Sequence, residues 1–292
     1  MPEIKTIAVI GAGIMGRGIA HVAALGGYRT ILEDIVPAAL HKAKNEIRTN
    51  VEKAVELKKV SAEDANATLG RIEYACGIDE AAREADMVIE AVPEELESKT
   101  EIFTLLDKIC RPGTILASNT SSLSITEIAS VTYRGNKCIG MHFFNPVHKM
   151  KLIEVVRALH TDDETIAAAC EVGRRMGKEV VVVKESPGFV TSRINALIGN
   201  EAFYMLEEGV ASAGDIDKAL KLGLNHPMGP FEMVDLVGLD TRLHILEYLH
   251  KTLGEKYKPA PLLVQYVRDG RLGRKSGRGV YEYASREKSS EN

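Results

Sequence analysis

Ile4-Lys5-Thr6-Ile7-Ala8-Val9-Ile10-Gly11-Ala12-Gly13-Ile14-Met15-Gly16 is the stretch on which the fold turns. From Ile4 to Ile10 the residues are mostly β-branched or apolar with little polar alternation, the composition of a strand buried on both faces, as in a parallel sheet. Glycine then takes over. Gly11 permits a tight turn, Gly13 lets backbone approach a pyrophosphate, and Gly16 permits close packing of a following helix whose first amides face the phosphates. Taken alone, this six-residue pattern also fits an ordinary glycine-rich turn. The next strand ends in Leu32-Glu33-Asp34, and Asp34 lies about twenty residues past the glycines, where a carboxylate accepts from a ribose 2'-hydroxyl and repels a 2'-phosphate. NAD is therefore expected rather than NADP, with Ala12, Ile14 and Met15 completing the loop and Glu33 as the competing carboxylate.

Outward from this loop, short apolar runs recur at Tyr28 to Leu32, Met87 to Val92, Thr114 to Ala117, Cys138 to Met141, Leu152 to Val156 and Val180 to Val183. Helical spacing separates many of them, over Ala38 to Lys59, Ser61 to Leu69, Glu95 to Ile109 and Glu164 to Met176. Strand alternating with helix predicts a Rossmann-like, doubly wound α/β domain with a mostly parallel sheet over residues 1–186. Pro187, which lacks an amide donor, and Gly188 break the pattern. Beyond them no buried-strand run occurs, and helices are expected over Phe189 to Glu208, Asp215 to Leu222, Phe231 to Val237, Leu239 to Gly254 and Pro261 to Asp269. The second domain, 187–292, is expected to be all-α, with a frayed polar end from Ser285 to Asn292.

The bulk composition narrows the function classes. The chain has 292 residues, 45% of them hydrophobic, enough for about two domains at roughly 100 to 200 residues each. A net charge of -4 without a basic, aromatic-rich stretch argues against a broad nucleic-acid surface. Cys76, Cys110, Cys138 and Cys170 lie far apart with no CxxC pair, which argues against a metal site or a disulfide framework and fits a reducing, cytoplasmic setting. No charged leader precedes a cleavable apolar stretch, and no apolar run approaches the roughly 20 residues of a membrane span.

Two further segments stand at strand ends, where ligands bind in open α/β sheets: Ser118-Asn119-Thr120-Ser121-Ser122 and His142-Phe143-Phe144-Asn145-Pro146. Oxidising a secondary alcohol needs a base for the hydroxyl proton while hydride leaves the same carbon, and histidine suits that task near neutral pH. A carboxylate on its other ring nitrogen would fix the tautomer. Glu154, twelve positions on, is available, but periodicity does not bring it to His142, and one histidine among eight also reads as a satisfied strand-end residue.

These segments, with Met150-Lys151-Leu152-Ile153-Glu154-Val155, Pro187-Gly188-Phe189-Val190, Pro227-Met228-Gly229-Pro230-Phe231-Glu232 and Gly273-Arg274-Lys275-Ser276-Gly277, closely resemble the L-3-hydroxyacyl-CoA dehydrogenase family, most of all its stand-alone bacterial 3-hydroxybutyryl-CoA members. The resemblance runs from Ile7 to Tyr283. It implies that His142 is the general base, Glu154 its partner, and Ser121 a hydrogen-bonding group for the reacting oxygen. It also implies that Glu94, Lys99, Asn145 and Lys275 serve the cofactor, and that C-terminal helices pair two subunits. Without the resemblance, Glu94 and Lys99 read as exposed charges at a helix start. Coenzyme A calls for a locally basic helix despite the acidic total, and among Lys53, Lys58 and Lys59 the resemblance favours Lys53. One position departs from the family: Ser192 stands where the family has a substrate-contacting asparagine, so Ser192, assisted by Asn195 one turn on, is the expected substitute.

Two other functions share many of these features. A dehydrogenase of a free hydroxy acid of the β-hydroxyacid type would use a lysine early in the second domain, and residues 187–214 contain none. A sugar-acid dehydrogenase acting on L-gulonate keeps the glycine loop and the His-Glu pair. A non-catalytic NAD-binding protein would need none of His142, Glu154 and Ser121.

Overall fold

In a computed structural model the described residues are 3–283, and the chain divides between Ser186 and Pro187 into two compact units. The terminal stretch Ser285 to Asn292 lies outside the described residues. The first unit runs β1 (Thr6–Ile10), α1 (Ile14–Leu25), β2 (Arg29–Glu33), α2 (Pro37–Glu56), α3 (Ala62–Gly70), β3 (Ile72–Ala75), α4 (Ile78–Ala82), β4 (Met87–Glu90), α5 (Leu96–Ile109), β5 (Ile115–Ser118), α6 (Ile125–Ala129), β6 (Cys138–Phe143), β7 (Leu152–Arg157), α7 (Asp163–Arg175) and β8 (Glu179–Lys184).

Eight strands form one sheet in the order β3-β2-β1-β4-β5-β6-β7-β8. Neighbours are parallel except β6 and β7, which are antiparallel. The strand order reverses between β1 and β4, the crevice where open sheets of this kind take ligands. Alternation along β1 fills both faces: Ile7 and Val9 join one apolar cluster with Ile19, Ala23 and Ile47, while Ala8 and Ile10 join another with Val88, Phe103 and Leu106. Register then aligns the strand ends, with Ile10 beside Glu90, Glu90 beside Ser118, and Ser118 beside Gly140.

One strand escapes the sequence pattern. β3 is four residues long at the sheet edge, and its Glu73 is exposed and forked to Arg29 of β2 at 2.7 and 2.8 Å, so no apolar run announces it. The short helices α4 and α6 were likewise not expected, and the other strands and α-helices lie within a few residues of their expected bounds. Ser61 caps α3, accepting from the Asp64 amide at 3.0 Å.

The second unit is built from α8 (Thr191–Glu207), α9 (Ala213–Gly223), α10 (Pro230–Val237), α11 (Leu239–Leu253) and α12 (Pro261–Arg268), with a 3-10 turn at Arg274–Ser276. Phe203, Phe231, Leu246, Leu249, Tyr257 and Leu263 form its core, Phe203 meeting Phe231 edge to face. Two buried carboxylates tie its last segment down. Asp235 accepts from the amides of Val280 and Tyr281 and from the Tyr283 hydroxyl; Asp217 accepts from the amides of Phe231 and Glu232 and from the Tyr281 hydroxyl. Its only β-structure among the described residues is a pair of isolated bridges at Gly273–Arg278 and Arg278–Glu282.

Candidate active site

The glycine loop follows β1 directly. Gly11 sits at φ +98°, and a Cβ at Gly16 would fall 1.7 Å from the Gly11 carbonyl oxygen, so only glycine permits α1 to start this close to the strand. Gly13 has open space where a side chain would stand, leaving its backbone approachable. The Ala12 amide donates to Asp34 Oδ2 at 2.8 Å and the Val36 amide to Oδ1 at 2.9 Å, fixing the Asp34 carboxylate beside the loop with lone pairs to spare for a diol. These features fit a dinucleotide with an unphosphorylated ribose. Glu33, the competing carboxylate, is instead buried. Burial first and the Asp34 charge second raise its pKa to about 7.

Close to the end of β4 lies a group that the family resemblance assigned to the cofactor region and that residue pattern without it would leave at the surface. Lys99 is 1% exposed, not a solvated charge at a helix start. One turn into α5, it points back under the β4–α5 connection, where its ammonium reaches Glu90 Oε1 at 2.7 Å, Glu94 Oε2 at 3.3 Å and the Val92 carbonyl at 3.3 Å. Glu90 is fully buried and also accepts from Ser118 Oγ at 2.6 Å and the Val92 amide at 2.7 Å. Burial pushes the Glu90 carboxyl up even against Lys99. Burial acts on Glu94 in the same sense, but Lys99, the Thr120 hydroxyl and the Ser121 amide outweigh it and hold that carboxyl below its usual range.

Glu94 in turn organises the segment after β5. Its Oε1 accepts from Thr120 Oγ1 at 2.6 Å, the Ser121 amide at 2.8 Å, Ser121 Oγ at 3.1 Å and Ser122 Oγ at 3.5 Å. Asn119 Oδ1 accepts from the Phe143 amide at 3.0 Å, linking this segment to the residue after His142. Ser118 and Asn119 fell within a segment the sequence singled out but carried no role there, and Glu90 was absent from the expected site residues; its one legible signal was a glutamate inside the apolar run Met87 to Val92.

His142 and Glu154 are brought together by register. They are direct partners across the antiparallel β6–β7 pair, with Nδ1 and Oε2 2.7 Å apart, and are 6% and 1% exposed. A carboxylate only accepts, so the Nδ1 proton lies on the ring side and a neutral imidazole carries its lone pair on Nε2. Phe144 packs on the imidazole at 4.4 Å between centroids. Behind the connection, buried Lys178 donates to the carbonyls of Val147 and Met150. Asn145 stands exposed in that connection, and Lys53 is exposed in the last turn of α2.

The remaining expected residues belong to the second unit. Ser192 and Asn195 lie in the first turns of α8, half-buried, and Lys275 is exposed with its ammonium 2.6 Å from Asp240. Among the described residues no three His, Cys, Asp or Glu side chains gather as a metal site requires, and no helix is long and apolar enough to cross a membrane.

Comparison with known proteins covers nearly all of this structure. Residues 6–186 match the model of the 3-hydroxyacyl-CoA dehydrogenase NAD binding domain, and residues 188–283 that of the 3-hydroxyacyl-CoA dehydrogenase C-terminal domain. The chain is 48% identical to a probable 3-hydroxybutyryl-CoA dehydrogenase of Bacillus subtilis, over 96% of this chain and 98% of the relative. It is similar to the crystal structure of (S)-3-hydroxybutyryl-CoA dehydrogenase from Ralstonia eutropha, with a TM-score of 0.94, 43% identity, and coverage of 97% and 100%. A diketoreductase structure is also similar, at a TM-score of 0.83 and 32% identity, with coverage of 97% and 100%.

Proposed function

The chain belongs to the 3-hydroxyacyl-CoA dehydrogenase family, and on that premise we propose that it interconverts (S)-3-hydroxybutyryl-CoA and acetoacetyl-CoA, with His142 as the proton-transferring group. The observation that carries this reading is the buried His142–Glu154 pair, with its Nδ1–Oε2 contact of 2.7 Å, at the end of a strand two places from β4 in the sheet.

NAD supplies the hydride acceptor when bound, and the donor set of Gly11, Ala12, Gly13, Gly16 and Asp34 suits it. In the oxidising direction the C3–H bond breaks with its electron pair leaving as hydride. The O–H proton passes to His142 Nε2, and the carbonyl forms. Glu154 stabilises the imidazolium that results, and Ser121 holds the reacting oxygen. In the reducing direction His142 returns the proton.

Family resemblance extends this reading to further residues. Glu94, Lys99, Asn145 and Lys275 serve the cofactor side, Ser192 with Asn195 replaces the family asparagine at the substrate, and Lys53 meets the phosphates of coenzyme A. The same resemblance supports a cytoplasmic homodimer paired through C-terminal helices.

The deciding experiment adds acetoacetyl-CoA to the protein with NADH and follows the NADH absorbance band. Oxidation is expected, and none with free acetoacetate or L-gulonate paired to the matching cofactor. Silence with NADH demonstrably bound would overturn the reading in favour of a non-catalytic NAD-binding protein, and turnover of L-gulonate alone in favour of a sugar-acid dehydrogenase.

A further inference from the structure

His21 of α1 is 6% exposed, and among the described residues its buried Nδ1 has no hydrogen-bond partner. A sealed nitrogen is cheaper as a bare lone pair than as an orphaned N–H, so the imidazole proton belongs on Nε2. Burial first, then His148 and Lys178, lower the His21 pKa to about 4. The ring is therefore neutral at neutral pH and keeps one donor.

That ring borders a cleft of about 150 Å³ between α1, α2 and the connection after β6. The polar groups of its walls are Arg17 and His21 of α1, Glu46 and Asn50 of α2, and Asn145 and His148 of the connection. His148 stacks on His21 with ring centroids 5.9 Å apart, and Lys178 fixes that wall through the carbonyls of Val147 and Met150. With Nδ1 sealed, the edge of His21 left to meet the cleft is the one carrying Nε2. Arg17 is taken by Glu46 at 2.5 Å, so the lining holds no unmatched charge for an anion. What it presents is an imidazole N–H and two carboxamides, the complement of an amide.

The cleft also lies on the way from one end of the expected substrate to the other. Asn50 and Lys53 are three residues apart in α2 and share a helix face, while Asn145 stands two residues beyond the strand that ends in His142 and Phe143. A thioester held at its phosphates by Lys53 and at its reacting carbon by His142 lays the stretch between them, the amide-bearing pantetheine arm, along this cleft. From this geometry we propose that His21 is a specificity-determining residue that donates from Nε2 to an amide carbonyl of the pantetheine arm. The inference rests on the reading in which Lys53 meets the phosphates and His142 the reacting oxygen.

The test compares acetoacetyl-CoA with acetoacetyl-pantetheine, which keeps the amides and lacks the nucleotide and its phosphates, both reduced with NADH. His21→Leu should raise KM about three- to tenfold for both thioesters, the worth of one hydrogen bond, with kcat and the KM for NADH within about twofold of wild type. His21→Gln, which restores an N–H donor, should return both thioesters to within about twofold. A rise confined to acetoacetyl-CoA would mean that the cleft reads phosphate, and no rise with either would take it off the ligand's path; both overturn the proposal. So does an equal rise for NADH, which would mark a general loosening of α1.

Should His21→Leu not fold, His148→Ala, which removes the exposed ring stacked on His21, decides: KM should rise about two- to fivefold for both thioesters alike, and an unchanged value for either overturns the proposal. A wild-type protein that turns over neither thioester fails the functional reading itself, whereas one that turns over both with KM unmoved in these variants fails only here.

Discussion

Two carboxylates, Glu154 in the first unit and Asp235 in the second, are each 1% exposed, yet they are satisfied in opposite ways. Asp235 accepts from two backbone amides and a tyrosine hydroxyl, donors that do not change charge near neutral pH. Glu154 faces an imidazole, whose second ring nitrogen can take up or give a proton. Burial raises the stakes of both arrangements, because an unmatched charge is costly in either place. On the proposed function, what separates a fastener from a proton-transfer pair is the kind of donor opposite, not the burial. Glu33 is a third case: buried at 4% exposure with no side-chain donor found for it among the described residues, it is driven toward the neutral acid.

The largest effect should come from the pair. His142→Gln should lower kcat for acetoacetyl-CoA reduction by about 10²- to 10⁴-fold, with the urea midpoint little moved. Turnover within tenfold of wild type would make His142–Glu154 another fastener and erase the contrast. Asp235→Ala should do the reverse, costing about 2–4 kcal/mol in urea denaturation because two amides and a phenol lose their acceptor. A loss below about half a kcal/mol would mean that this latch is replaced by water.

Glu33 sharpens the comparison through pH. Its folded pKa of about 7 lies above the ordinary value of 4.5, so its contribution to stability is full below about pH 4.5 and is lost as pH rises through 7. Glu33→Gln should flatten that slope and leave the variant more stable than wild type at pH 8, by about 1–2 kcal/mol. A parallel pair of stability-versus-pH curves would count against the raised value. The smallest effect is expected at an exposed charge with no burial behind it: Lys53→Ala should raise KM for the CoA ester about two- to fivefold and leave that for NADH unchanged, and equal changes would point away from phosphate contact.

How far each part could be read in advance follows from how local its cause is. The glycine loop and Asp34 belong to one strand–helix–strand unit, so spacing along the chain carries their geometry, and the Ala12–Asp34 bond at 2.8 Å closes within it. Lys99 needed the family resemblance, because by pattern alone a lysine one turn into a helix reads as solvated. Its burial depends on Glu90 and on the turn after β4, which bends the chain back over it. Asn119 stood in a segment the sequence singled out, but its contact was not legible, since its partner is a backbone amide 24 residues away on the next strand. His142 was singled out by its place at a strand end, but Glu154 needed the family resemblance. That β7 runs antiparallel to β6, the fact that sets them opposite each other, leaves no mark in hydrophobic periodicity. β3 was lost for a simpler reason, too short and too charged to stand out.

The antiparallel register of β6 and β7 makes one part of this enzyme modular. The distance from imidazole to carboxylate is a property of the ladder, set by interstrand spacing and by Glu154 lying opposite His142. Residues 144–151 join the two strands without belonging to that ladder. Exchange of that connection for one of different composition, with the Lys178 anchors retained, would leave the His142–Glu154 contact in place while remaking its surroundings. The composition of the connection and the His142–Glu154 contact can thus change independently, although they belong to adjacent stretches of one hairpin.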